Sequence, residues 1–234
     1  MAAAISRQEA IRLARLPLAD ALDALQRAQL LTPATAAAIA RHSLDAVENA
    51  SDVGSLLALA EGVHTATGAA AVAMPWLAYA QARQSVMAGN LDVAEAQLAA
   101  ARDGWAQLGE TLSQARSGLG LTQVLAMQGR FAEAHAAIAA TIDALLQPTD
   151  RNLELDLLLA AARQNLATLL SYQERHAEAL DVLQAVRNDI TQWLTIYADD
   201  AAQRELRTLL GQTGIDAAVC QSYLDRPADA EVTL

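Results

Sequence analysis

The chain has 234 residues, 53% of them hydrophobic and only 3% aromatic, with Ala and Leu predominating; this balance favours helix and supplies a core without a metal or disulfide staple. Its 27 acidic residues outweigh 16 basic ones, all of them Arg, for a formal net charge of −11, and no window gathers Arg on one face, which excludes the cationic stripe of a nucleic-acid binder. The single Cys220 excludes a disulfide framework within the chain and a thiolate zinc cluster.

The N-terminal MAAAISRQEA lacks the apolar core of a signal peptide, and the longest apolar run, Ala69 to Ala80, is broken by Pro75 and too short to cross a bilayer. The expectation is a soluble, cytoplasmic protein with no membrane partner. Ser6 with Glu9 makes a capping-box pattern, Thr32 before Pro33 marks a second helix start, and Ser51 with Asp52 marks a third. Residues 1–68 therefore read as an N-terminal segment of three or four short amphipathic helices that ends near Thr67 and Gly68 and packs on the remainder of the chain.

Beyond that point a twelve-residue pattern returns four times: MAGNLDVAEAQL from Met87, MQGRFAEAHAAI from Met127, YQERHAEALDVL from Tyr172 and YLDRPADAEVTL from Tyr223. Its third residue is Gly89, Gly129, Glu174 and Asp225, spaced 40, 45 and 51 residues apart. Periods of this length, with helical spacing on both sides, predict stacked helical hairpins. The third residue is the turn. Five residues after it comes Ala94, Ala134, Ala179 or Ala230, where only a methyl lets the second helix lie close against the first. Nine after it comes Leu98, Ile138, Leu183 or Leu234 on the same face, and seven before it the small partners Ala82, Thr122, Ala167 and Ala218.

This set of offsets resembles the tetratricopeptide repeat, with Glu174 and Asp225 in place of the turn Gly in the last two copies. The long, Ala-rich units are similar to arrays in large bacterial signal-transduction ATPase regulators and in those that carry a caspase-like CHAT protease, and LLTPATAAAIARHSL resembles the helices that precede such arrays. The resemblance implies an all-α, right-handed α-solenoid of antiparallel hairpins over residues 69–234, with three full hairpins and a truncated fourth. It also implies that the first helices line a concave groove. That face would present Trp76, Tyr79, Arg83 and Met87, then Arg116, Gln123 and Met127, then Gln164, Thr168 and Tyr172, then Gln212 and Tyr223. Trp76 and Tyr79 could equally pack on the N-terminal helices.

Rings, thioethers and a few Arg suit a protein or peptide segment bearing acidic residues. The Lys and Asn pattern of a chaperone carboxylate clamp is missing, which argues against a chaperone tail as ligand. The four histidines, His42, His64, His135 and His176, never stand four apart with a carboxylate between them, and no P-loop or nucleophile-elbow motif occurs. Gly118 and Gly120 fall mid-helix, where they let a neighbour approach. The expectation is a non-enzymatic interaction scaffold with no catalytic residues, metal or cofactor; the alternative is a sensor array holding a small ligand inside the superhelix. The final helix, about Asp200 to Tyr223, carries more apolar residues than one face can hide, so self-association or cover by further chain is expected there.

Overall fold

The computed structural model describes residues 5–45, 50–68 and 75–224. Among them every regular element is a helix: α1 (Arg7–Ala14), α2 (Leu18–Arg27), α3 (Pro33–Asp45), α4 (Ala50–Thr67), α5 (Pro75–Met87), α6 (Leu91–Leu108), α7 (Thr111–Met127), α8 (Phe131–Leu146), α9 (Leu153–Tyr172), α10 (His176–Ile196) and α11 (Asp200–Tyr223). They form two compact units, one running through Glu110 and the other starting at Thr111.

In the first unit α1 to α4 bury Leu13, Leu25, Ile39, Leu56 and Val63, and Leu77 and Ala80 of α5 join that core. The change of pattern after residue 68 thus falls inside this unit, because α5 packs on α3 and α4 as well as on α6. Ser6 caps α1 by accepting from the Glu9 N–H at 3.3 Å, but the Glu9 carboxylate turns to Arg12 instead of closing the capping box. Thr32 accepts from the Thr35 N–H at 3.2 Å, as its place before Pro33 requires. Ser51 and Asp52 fall in the first turn of α4, which begins at Ala50, one residue before the start they mark.

The hairpins turn where the repeat pattern puts them. Gly89 (φ 77°), Gly129 (φ 75°) and Glu174 (φ 58°) all hold the left-handed conformation between paired helices, α5–α6, α7–α8 and α9–α10. Asp225, Ala230 and Leu234, the corresponding positions of the fourth copy, lie outside the described residues. Ala94, Ala134 and Ala179 are fully buried, as are the branched residues Leu98, Ile138 and Leu183 and the small partners Ala82, Thr122 and Ala167. Gly118 works the same way: a Cβ there would stand 2.2 Å from Thr141 Oγ1, so only Gly lets α8 come this near. Side-chain ties add direction, with Ser85 donating to Gln97 across α5–α6 at 2.9 Å and an Arg163–Asp189 ion pair across α9–α10.

The hairpin contacts and turns respond differently to substitution. Ala134→Leu should destabilise the protein by about 1 to 3 kcal/mol through overpacking, while Ala140→Gln, at an exposed site on the same helix, should be near zero in the same denaturant titration. At the turns a Cβ at Gly129 meets nothing within 4 Å, so Gly129→Ala should cost about 1 kcal/mol through φ alone. Glu174→Gly should raise stability by about 0.5 to 1 kcal/mol, the relief of the left-handed side chain exceeding the entropy of an added Gly.

Candidate protein-binding groove

Each first helix of a hairpin commits one stripe to packing and leaves another outward. At ten, six and two residues before the turn that outer stripe reads Gln164, Thr168, Tyr172 on α9 and Ile215, Val219, Tyr223 on α11, with Gln123 and Met127 at the last two positions on α7. The residue two before the turn is large in every copy and outward in every copy: Met87, Met127, Tyr172 and Tyr223 are 81%, 56%, 69% and 66% exposed. Bulk therefore recurs in solvent at this one position of the repeat.

In the second unit this stripe borders a depression of about 470 Å³ lined by Thr122, Gln123, Ala126 and Met127 of α7, Phe131 at the start of α8, and Asn165, Thr168, Leu169 and Tyr172 of α9. Its walls combine a thioether and two rings with two carboxamides and two threonine hydroxyls. Thr168 Oγ1 donates to the Gln164 carbonyl at 3.0 Å within its own helix. No charged side chain, histidine or cysteine lines it. A second depression, about 510 Å³, lies between α9 and α11 and is lined by Leu157, Glu205, Thr208, Leu209 and Gln212.

The residues expected to share the groove are divided by the structure. Gln123, Thr168 and Tyr172 come together in the first depression, joined by Met127, and Gln212 lines the second while donating to Asp216 at 3.1 Å. Gln164 instead turns to α11, donating from Nε2 to Thr213 Oγ1 at 2.9 Å. Arg116 is not an open cation: its Nη2 lies 2.6 Å from Glu154 Oε1. In the first unit Trp76 is held by packing, edge-on to Trp105 with centroids 4.8 Å apart and under the Arg41 guanidinium at 4.4 Å. Tyr79 is half-buried on α5, and Arg83 is exposed there. Tyr223 stacks on His176 at 4.6 Å.

Sequence reasoning missed Phe131 and Asn165. Phe131 stands two residues after the turn Gly, at the start of a second helix, where attention to first helices overlooks it; Asn165 stands seven before Tyr172, two turns away on the same face, and that spacing could have found it. It also missed a buried polar cluster. Asp156, 3% exposed, accepts from Arg151 Nε at 2.9 Å and from the Tyr197 hydroxyl at 2.7 Å, and Arg151 Nη1 donates to the Leu145 carbonyl at 2.7 Å. This cluster ties the end of α8, the start of α9 and the end of α10. Its polar arms have protein partners, so it serves the fold rather than a ligand. Burial, and after it the bond to Asp156, push the Tyr197 phenol up to about 12.

No family model matches this chain, and no curated protein matches it in sequence. It is similar in structure to BtubC (BKLC) from P. vanneervenii, at 14% identity and a TM-score of 0.68 over 98% of this chain and 89% of that one. It is likewise similar to RapI in its apo form, at 9% identity and a TM-score of 0.68 over 97% of this chain; it spans 62% of RapI's length. These likenesses establish an all-α helical-repeat fold. Among the described residues no helix is long and apolar enough to cross a membrane.

Because the Tyr197 phenol titrates late, its ionisation opposes folding at alkaline pH. The folded-state value lies above the ordinary 10, so this contribution to stability is complete below pH 10 and is lost as pH rises towards 12. Ultraviolet titration should show one of the four tyrosines ionising well after the others, and Tyr197→Phe should remove that late phase and flatten the stability profile between pH 10 and 12.

Proposed function

We propose that this chain is a non-enzymatic interaction module of tetratricopeptide-like design, which takes a segment of another protein, or docks a neighbouring domain, along the outer stripe of its first helices. The observation that carries the reading is the α7–α9 depression. Met127 and Tyr172 leave most of their apolar surface in solvent there, and Gln123 and Asn165 are exposed as well. Side chains that carry the penalty of hydrophobic exposure without serving an internal contact suit an external one. The depression carries no carboxylate, imidazole or thiol to act as base, acid or nucleophile, which supports a binding rather than a catalytic role.

Its volume would accommodate a small ligand, but its walls are open: a sensor pocket encloses most of its ligand, whereas Tyr172 stands 69% exposed. Ile215, Val219 and Tyr223 on α11 extend the same stripe, so the apolar excess of that helix belongs to the binding face. Cover of α11 by a second copy or by further chain is the competing use of those side chains.

Met127→Ser/Tyr172→Ser should leave the melting temperature within about a degree or two, since both side chains are exposed. Affinity capture with quantitative mass spectrometry should then show proteins retained by the unmodified chain and depleted at least tenfold on the double variant. An identical set on both would remove the groove from consideration.

A further inference from the structure

We infer that the segment received by the second unit is apolar and basic, not acidic. This rests on the segment-binding reading and gives it a partner chemistry.

The arginines of the second unit are largely engaged within it. Arg130 and Arg175 each clamp the Glu three residues on, Arg130 to Glu133 and Arg175 to Glu178, with both Nε–Oε1 distances 2.7 Å. These guanidinium bonds hold the Glu133 and Glu178 carboxyls below the usual carboxylate range. Arg116 is taken by Glu154, Arg151 by Asp156 and Arg163 by Asp189. These five arginines are paired within the protein; Arg187 lines a separate depression between α10 and α11, and Arg204 and Arg207 are exposed on α11 without lining either of the two depressions described above.

One face of α9 runs by helical spacing from Leu157 through Asn165 and Thr168 to Tyr172, passing from the second depression to the first. Along that path the two depressions contain a single charged side chain, Glu205. It is exposed and has no ion-pair partner among the described residues. Arg204 and Arg207 are one and two positions away, spacings that do not share a helix face. Glu174, at the turn just past Tyr172, is likewise exposed.

An occupant bearing Asp or Glu would meet Glu205 on a molecule of net charge −11 and find no available cation in either depression. An occupant with Leu, Ile, Phe or Met side chains would fill the α7–α9 depression against Met127, Phe131, Leu169 and Tyr172. Its Lys or Arg, a few residues along, would reach Glu205, and the field of the whole molecule would speed its approach. A second copy of this acidic chain fits the same surface less well on charge alone.

Selection of random twelve-residue peptides on phage against the full chain, with Met127→Ser/Tyr172→Ser as counter-selection, tests both layers. The expected consensus combines apolar residues with Lys or Arg and is depleted of Asp and Glu. A synthetic peptide of that consensus should bind about 3- to 10-fold more weakly to Glu205→Gln at 50 mM salt by fluorescence anisotropy, the gap narrowing at 500 mM. An acidic consensus that still depends on Met127 and Tyr172 would overturn the charge assignment and leave segment binding standing. Unchanged affinity for Glu205→Gln would overturn the role of that carboxylate. Failure of any peptide to distinguish the chain from the double variant would overturn the segment-binding reading itself.

Discussion

A methyl group at one position in each hairpin sets how near its two helices come, and the usable surface depends on that distance. Ala94, Ala134 and Ala179 are buried together with the small residues seven before the turn, and the branched Leu98, Ile138 and Leu183 are buried one helical turn further on. With one stripe of each first helix committed in this way, helical geometry leaves the positions ten, six and two before the turn on another face. That face accumulates Met127, Tyr172 and Tyr223 without disturbing the core.

Electrostatics reinforces the division. The second unit uses five of its arginines to hold neighbouring helices and helix starts in place, as in the Arg151–Asp156–Tyr197 cluster and the Arg130–Glu133 and Arg175–Glu178 clamps. The clamps place Arg just before the second helix and Glu in its first turn, where the helix dipole also favours the carboxylate. The outer stripe is left with thioether, ring, amide and hydroxyl, a surface suited to reading shape and apolarity. Glu205 lies outside that stripe, in the α9–α11 depression, and has no ion-pair partner among the described residues.

The hairpins were legible in the sequence because their determinants are local. A Gly or its substitute at the turn, Ala five residues later and a branched residue after nine are fixed by one helix pair, so Gly129 and Glu174 could be placed without any long-range contact. The site was legible only in part, because side-chain fates depend on residues far along the chain. Arg116 meets a carboxylate 38 residues away, Gln164 a hydroxyl 49 residues away, and Trp76 is held by Trp105 and Arg41. Nothing in the spacing of the first helices encodes those encounters.

In the proposed binding mode the outer stripe of α7 and α9, and not the outside of the second helices, meets the partner. Site-specific photocrosslinking tests it most directly, with benzoylphenylalanine in place of Gln123 or Thr168 on the stripe and of Ala140 on α8, all exposed positions. In cells expressing each variant, positions 123 and 168 should crosslink to the same partner segment, mapped by mass spectrometry, and position 140 should not. Crosslinking of that segment from position 140 with none from 123 or 168 would contradict the account.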